Sequence, residues 1–404
     1  MLIFNLAFTS FDKTIESARS IFHERSIIVV FFHVINAEYI AWGLRLLFNK
    51  IYECVPMAYQ VKDVCSRFSD LIVDVKNPEV SFSRIDSADN FRSDSLIFIS
   101  EEGRLENLSS QPAVIVTSAD IAEKIGSADQ CLIVVKNVRL SQALIKQEYS
   151  DYDTRDEHWG EIHPSAIIHP SVTLNDGVRV GPNTVIGPDS VIGAGTHIRA
   201  NCVIEHGVVI GENCVINNLV NIGYRCRLGN RVILRPGVIV GNEGFGFAQD
   251  EQRHYHRTPH TGTVDIGDDV QIGSNSNIDR GTYGATVISR GVKIDALCHI
   301  AHNVNVDEDA LFVAQSGVAG SCNIGKRVIA SGQTGMLDHK TVVDDAVLVH
   351  RCGVTEDVLE PGVWAGTPPR PLKEYVRNLS VSKKLVKLSK ELAELKRSIN
   401  QDVN

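Results

Sequence analysis

The stretch that decides the fold is VIGPDSVIGAGTHIRANCVIEHGVVIGENCVI, residues 185–216. An aliphatic residue returns at every sixth position, and glycine or another small residue often accompanies it. The same spacing begins at Ile162 and continues, with two interruptions, to Val354. Such self-similarity marks a repeat architecture, and a period of six indicates a parallel β-helix. The sequence therefore predicts a fold that is mainly β, with the aliphatic residues in its core.

The period also predicts the dimensions of one coil. Three hexads make a triangular coil, so residues 18 apart are expected to lie one above the other. The rise per coil should be the spacing of adjacent strands, about 4.8 Å. The fifth position of many hexads is small, which indicates an inward side chain with little room. Cysteine, which packs as a small hydrophobe, occupies this position at several places: Cys202, Cys214, Cys226, Cys298, Cys322 and Cys352.

Bulk composition narrows the class of protein. The chain has 404 residues, of which 43% are hydrophobic and 22% charged, so two or three ordinary globular domains are expected. The net charge of −9 argues against nucleic acid as the main partner. Nine cysteines without a CxxC pair indicate a reducing compartment, the cytoplasm, rather than a disulfide framework.

Two insertions interrupt the repeat. GNEGFGFAQDEQRHYHRTPHTGTVD, residues 241–265, is too long for a corner, and DRGTYGATV, residues 279–287, breaks the register again. Insertions in solenoids project as loops and often carry function. The Gly-Phe-Gly-Phe run is not a dinucleotide fingerprint, because no βαβ unit flanks it.

The segments before and after the repeat differ from it. Residues 57–155 combine short apolar strands with helical spacings, which predicts a small α/β domain. A polar hinge leads into the β-helix, residues 156–366. The tail, residues 367–404, is predicted to be helical, and its leucines form a heptad seam. Residues 371–400 carry eight Lys or Arg against three Glu, which favours an acidic partner.

The first 56 residues have an uncertain status. Their run SIIVVFFHVINAEYIAWGLRLLF, residues 26–48, is apolar enough to suggest a membrane helix. His33, Glu38 and Arg45 interrupt it, and such groups are costly at bilayer depth, so we expect no integral membrane span. A packed helix and a non-native extension upstream of Met57 both remain open.

His302 raises the question of function. It is the third residue of its hexad, which predicts a place on a flat face of the coil. Gly320 lies 18 residues on, His339 37 residues on, and Asp295 seven residues before. A base, a carboxylate that orients it and a backbone N–H are the parts that acyl transfer needs. A packed structural histidine is the alternative.

Several blocks resemble one family. GNEGFGFAQD, IGSNSNIDRG, KIDALCHIAHNV, AGSCNIG and EPGVWAGTP are similar to segments of the UDP-3-O-acylglucosamine N-acyltransferases of lipid A assembly. The resemblance covers residues 57 to about 400. It implies a left-handed coil, a homotrimer with active sites between neighbours, and an N-terminal domain that helps to bind uridine. It also implies acyl carrier protein as the acyl donor and no cofactor or metal.

The resemblance assigns roles to individual residues. His302 matches the catalytic base, Asp295 the residue paired with it, Gly320 the oxyanion N–H donor, and His339 a second histidine of the site. The family's C-terminal helices dock acyl carrier protein, which is acidic, so the basic tail suggests Lys383, Lys384 and Lys387 as docking residues.

The sequence also departs from the family. Ala296 stands where Asn is usual after the paired Asp. In IFISEEGR, residues 97–104, Phe98 keeps the uridine-site pattern, but Glu101 and Arg104 replace the expected Asn and Tyr. The identity of the sugar nucleotide therefore stays open.

Three other functions compete. The sister O-acyltransferases share the solenoid, but their motif has Asp directly after the His, where this chain has Asn303. A zinc solenoid would need three histidines around one metal, and His299 and His302 alone do not supply them. A divergent paralogue acting as a scaffold, or on another sugar nucleotide, is the third alternative.

Overall fold

The computed structural model describes residues 58–104, 111–125, 130–150, 160–382 and 384–402. The chain divides into two compact units, residues 1–152 and 153–404, and each is described by itself. The predicted extension 1–56, with its apolar run, and Lys383 lie outside the described residues. In the described part of the chain, no helix is both long and apolar enough to cross a bilayer.

The N-terminal unit is an α/β domain. Its strands are β1 (Tyr59–Gln60), β2 (Ile72–Lys76), β3 (Ser81–Phe82), β4 (Arg84–Ile85), β5 (Ser95–Ile99), β6 (Val114–Thr117) and β7 (Cys131–Val135), and its helices are α1 (Val61–Arg67), α2 (Ala119–Ile125) and α3 (Val138–Tyr149). Five strands form one sheet in the order β2-β7-β6-β5-β4, in which only β2 runs antiparallel to its neighbour. Alternate residues of β5 enter two different apolar clusters, so both faces of the sheet are covered.

The second unit begins with a parallel β-helix of three faces. Face 1 contains β10 (Arg179–Val180), β13 (His197–Ile198), β16 (Val215–Ile216), β19 (Ile233–Leu234), β24 (Gln271–Ile272), β27 (Lys293–Ile294), β30 (Leu311–Phe312), β33 (Ile329–Ala330), β36 (Ala346–Leu348), β38 (Gly362–Ala365) and β39 (Arg370–Pro371). Face 2 contains β8 (Ile167–Ile168), β11 (Val185–Ile186), β14 (Val203–Ile204), β17 (Asn221–Ile222), β20 (Ile239–Asn242), β25 (Asn277–Asp279), β28 (His299–Ile300), β31 (Gly317–Val318), β34 (Gly335–Met336) and β37 (Gly353–Val354). Face 3 contains β9 (Thr173–Leu174), β12 (Val191–Ile192), β15 (Val209–Ile210), β18 (Arg227–Leu228), β23 (Thr263–Ile266), β26 (Ala285–Ile288), β29 (Asn305–Val306), β32 (Asn323–Ile324) and β35 (Thr341–Val342).

The strand register confirms the coil of 18 residues. Ile186 pairs with Ile204, which pairs with Ile222. At the first insertion the partners are 38 residues apart, and at the second they are 22 apart, after which the spacing of 18 returns. The first insertion includes a hairpin of β21 (Phe247–Gln249) and β22 (Tyr255–Arg257). The coil therefore tolerates both insertions without losing its stacking.

The core of the β-helix is the predicted aliphatic column. In most two-residue strands of the coil one residue points inward and is buried, as in Ile192, Ile198 and Ile272, each at 0% exposure, whereas Ile168 and Leu174 of the first coil are half-buried. Full burial of such a side chain stabilises the fold by roughly 1.5–3 kcal/mol. The cysteines of the fifth hexad position are buried and free, as predicted. The predicted fold class, a left-handed parallel β-helix with an α/β domain and terminal helices, is confirmed.

The tail is helical, as predicted. It consists of α4 (Leu372–Ser382) and α5 (Leu385–Asp402), and α4 contacts β38 and β39. The seam leucines of α5 are exposed in the single chain, with Leu385 at 55% and Leu392 at 57%. An apolar seam on an exposed helix is the pattern of a helix that packs on a partner helix.

Candidate active site

His302 lies in a turn, not on a flat face. The turn connects β28 on face 2 with β29 on face 3, and the next residue, Asn303, has a positive φ of 60°. Asn tolerates this backbone conformation better than most residues. The predicted flat-face position was wrong because the third residue of a hexad enters the corner rather than the strand. A corner position projects the imidazole from the edge of the coil.

Gly320 stacks one coil beyond His302. The N–H of the following residue, Ser321, donates to the His302 carbonyl at 2.9 Å. A Cβ on Gly320 would lie 2.5 Å from Cε1 and 2.8 Å from Nε2 of the imidazole. Since real Cβ atoms do not approach so closely, only glycine lets the ring rest there. The predicted stacking of Gly320 one coil from His302 is therefore confirmed.

Asn303 determines the hydrogen bonding of the imidazole. Its Oδ1 accepts from the backbone N–H of Thr282 at 2.8 Å, which fixes the orientation of the amide. Its Nδ2 then lies 3.0 Å from Nδ1 of His302 and 3.0 Å from Oγ1 of Thr282. An NH₂ group can only donate, so Nδ1 is the unprotonated nitrogen of the neutral ring. This contact could not be predicted from the spacing of the repeat.

Burial and other histidines keep His302 neutral. Burial lowers the pKa of His302 below its usual 6.5, and the nearby His260 lowers it further. His339 and His299 act in the same direction, whereas Asp279 opposes them. His339 is exposed in the corner two coils on, and its N–H donates to the Gly320 carbonyl at 2.9 Å. The structure therefore brings His302, Gly320 and His339 into one neighbourhood.

Asp295 does not join this group within one chain. It follows β27 at the corner between faces 1 and 2, whereas His302 occupies the corner between faces 2 and 3. Its carboxylate accepts from the N–H groups of Ala296 at 2.7 Å and Ala314 at 3.2 Å. These bonds cap a turn. The predicted reach around the edge to the imidazole is not what the structure shows.

A different carboxylate lies near the imidazole. Asp279 is 1% exposed and its Oδ2 is 3.3 Å from Nε2 of His299. Its other oxygen, Oδ1, accepts from Asn277 at 2.5 Å and from Asn242 at 3.4 Å. Asp279 raises the pKa of His299 above its usual value. Sequence reasoning missed Asp279, although it begins the second insertion, where a break in register could have drawn attention to it.

A mostly apolar groove of about 600 Å³ begins at His302. Its floor is the outward column of face 2, in which His299 is followed coil by coil by Gly317, Gly335 and Gly353. A Cβ on Gly317 or Gly335 would meet only open space. The floor is therefore open because these glycines have no side chain. Phe245 of the first insertion and the aliphatic Met336 and Leu337 add to the lining.

The remaining predicted residues lie elsewhere. Phe98 is 8% exposed and packs in the core of the N-terminal unit, so its ring is not presented to a nucleotide there. Glu101 is exposed, and Arg104 ends a 3-10 turn that begins at Glu102. Lys384 and Lys387 are exposed on the tail. Across the residues that the structure describes, no group of three potential ligands is arranged to hold a metal ion.

Comparison with known proteins gives a consistent family. The chain is 43% identical, over 349 residues, to the UDP-3-O-acylglucosamine N-acyltransferase of Methylococcus capsulatus, covering 85% of this chain and 99% of that protein. The protein of that name from Methylobacterium nodulans is 37% identical over 41% of this chain and 47% of its own. The family model described as GMPPB C-terminal domain matches residues 162–244.

Solved structures are less similar to this chain. The Arabidopsis UDP-N-acetylglucosamine acyltransferase is 21% identical, with a TM-score of 0.44, over 51% of this chain and 71% of that one. The UDP-N-acetylglucosamine acyltransferase of Campylobacter jejuni is 22% identical, with a TM-score of 0.34, over 55% and 83% of the two chains.

Proposed function

Because the chain belongs to the family of UDP-3-O-acylglucosamine N-acyltransferases, we propose that it acylates the 2-amine of UDP-3-O-acylglucosamine in lipid A assembly. The donor is a 3-hydroxyacyl group on acyl carrier protein, and no cofactor takes part. The observation that carries this proposal is the contact between the neutral imidazole of His302 and Gly320 at the end of an apolar groove.

His302 acts as the general base. The unprotonated amine attacks the thioester carbonyl, and Nδ1 takes the proton that the nitrogen loses as its bond to carbon forms. The incoming N–H replaces the amide of Asn303, which holds Nδ1 at 3.0 Å before substrate arrives. The tetrahedral intermediate then collapses, the C–S bond breaks, and the proton passes from the imidazolium to the thiolate. Atoms and charge therefore balance without another reactant.

The N–H of Gly320 suits the oxyanion. At the same place in other hexads the turn N–H is capped by a side chain, as Asp295 caps Ala314 at 3.2 Å and Asp344 caps Lys326 at 2.9 Å. Among the described residues, no acceptor is bonded to the Gly320 N–H. A backbone donor already in place, next to the base, is what a developing negative charge requires.

The groove suits the acyl chain. It is mostly apolar, its lining extends from His302 to Gly353 along face 2, and its glycine floor lets a chain lie directly on the sheet. A hydrocarbon chain gains about 0.8 kcal/mol for each methylene that it buries. Each coil adds about 4.8 Å to the length of the groove floor. The number of coils in the floor therefore sets the length of acyl chain that the groove holds.

Assembly of several copies of the chain would explain the position of Asp295. Within one chain it lies at a different corner from His302, so a pairing of the two is possible only between neighbouring copies. The exposed seam of α5 and the outward aliphatic residues of the coil, such as Ile239 and Ile329 at 41% and 37% exposure, favour such a homotrimer. In it Asp295 would orient the imidazole of a neighbour, and His339 would contact substrate. Lys384 and Lys387 would receive acyl carrier protein.

A different sugar nucleotide is the second candidate. Glu101 and Arg104 stand where the family pattern has Asn and Tyr, and Phe98, which keeps the pattern, is buried. Thermal melting with UDP-3-O-acylglucosamine and with other UDP-sugars separates the two, because a ligand of the folded state raises the melting temperature. Mass spectrometry of the product, after incubation with acyl carrier proteins of several chain lengths, tests the reaction itself. Absence of an amide product would overturn the proposed function.

A further inference from the structure

His260 packs directly against the proposed base. The centroids of the His260 and His302 rings are 4.8 Å apart, at an interplanar angle of 55°. His260 is 3% exposed, although it comes from the first insertion and not from the coil. The burial of His260 against His302 therefore needs a structural or a chemical explanation.

A backbone carbonyl fixes the position of one ring nitrogen of His260. Its Nδ1 is 2.9 Å from the carbonyl oxygen of Thr258, which can only accept, so Nδ1 carries a hydrogen. Glu243 accepts from the guanidinium of Arg257 and from the His260 backbone N–H at 3.2 Å, which ties the backbone at His260 to the start of the insertion.

The loop is built to hold the two rings together. A Cβ on Gly244 would lie 2.7 Å from the His260 ring and 2.9 Å from Cβ of His302, and one on Gly246 would lie 2.7 Å from Cε1 of His260. Both glycines therefore allow the backbone to lie against the pair. Arg280, 2% exposed, donates to the carbonyls of Gly241 and Gly262 at 2.8 and 3.2 Å, near the two ends of the insertion.

We propose that His260 is a positioning residue of the active site, which fixes the His302 ring and resists its protonation, so that His302 remains a base on the acid side of neutrality. The inference rests on the proposed function. A half-buried imidazole in contact with a buried one binds a second proton poorly, because like charges repel in a site of low dielectric.

Three other titratable groups act on the protonation of His302. Asp279 stabilises its protonated form, whereas His299 and His339 destabilise it, and burial and His260 are the two largest contributions that lower its pKa. Removal of His260 leaves the other groups in place. The pKa of His302 should then rise, so that it becomes protonated, and inactive as a base, at a higher pH.

The test compares His260→Gln and His260→Phe with the wild-type chain. Gln keeps a polar side chain and Phe keeps the ring contact, and neither can be charged. The acid limb of the kcat/KM profile should move to higher pH in both variants, and activity should fall more at acid pH than on the plateau above the limb. His256→Gln, on the exposed hairpin beside Asp250, is the control and should leave the limb unmoved.

NMR titration of the His302 Cε1–H signal, assigned by its loss in His302→Gln, supplies a readout that does not need acyl transfer. A rise of the His302 pKa in both His260 variants supports the inference even if the substrate is wrong. If one variant does not fold, the other decides. An unchanged or lower pKa, or an equal shift in His256→Gln, overturns it.

Discussion

The imidazole of His302 rests on the Cα of Gly320, one coil further along the β-helix, with no room for a Cβ between them. The two residues are 18 apart, one coil of the sequence repeat, and this contact joins the proposed base to the proposed oxyanion donor. The geometry of the site therefore follows from the period of the coil.

Gly320→Ala tests that contact. The new methyl group would lie 2.5 Å from Cε1, so the ring must move, and displacement of a catalytic group by about 1 Å can reduce turnover roughly a hundredfold. Overpacking should also lower the free energy of unfolding by about 1–3 kcal/mol. Gly332→Ala, at the equivalent position of another hexad, is the matched control, because its Cβ would make only an ordinary contact, 3.4 Å from the Ala314 carbonyl oxygen. Equal turnover in the two variants would remove Gly320 from the site.

The groove predicts that a side chain placed on its floor will reduce activity according to the length of the donor's acyl chain. Gly317→Leu places a side chain one coil from His299, and Gly335→Leu places it two coils away, about 4.8 Å further along. We expect Gly317→Leu to reduce kcat/KM for all donors and Gly335→Leu to reduce it for long donors only. Kinetics with acyl carrier proteins of different chain lengths measure this. The same loss for every length in both variants would mean that the chain lies elsewhere.

Much of the fold was predictable because its signal is repeated. The same position in successive coils is occupied by Ile186, Ile204 and Ile222. The period, the core and the stacking of Gly320 on His302 could therefore be predicted from the spacing. The contacts of the His302 side chain could not be predicted in this way, because they depend on where the two insertions return to the coil. Thr282 and Asp279 arrive from the second insertion and His260 from the first, and no periodicity places them.

A variant of Asp295 tests whether each active site is shared between two copies of the chain. Mixed trimers of His302→Ala and Asp295→Ala chains contain some sites with both native residues if the two come from neighbouring copies. Activity should then rise above that of either variant alone after mixing, unfolding and refolding. If the mixture is no more active than the average of the two variants, Asp295 acts only where the structure places it, as a cap on Ala314. Light scattering should show trimers throughout.

The tail predicts a salt-dependent interaction. Lys384→Glu combined with Lys387→Glu should weaken docking of acyl carrier protein, most strongly at low salt, where charge attraction is least screened. Lys387 also pairs with Glu391 at 3.6 Å on an exposed helix, a contact worth under about 1 kcal/mol, so the helix should survive. Lys62→Glu, in the other unit, is the control. Unchanged binding in the double variant would leave the tail a role in trimer packing alone.

The measurement that tests the central claim most directly is single-turnover acyl transfer by His302→Ala. General-base catalysis typically contributes 100- to 10,000-fold, so the variant should lose on the order of a thousandfold. The trimer should persist, and its melting temperature should stay close to that of the wild-type chain, because the half-exposed ring is not part of the apolar core. A folded variant that keeps most of its activity, or one that no longer folds, would show that His302 is a structural side chain and that the base lies elsewhere.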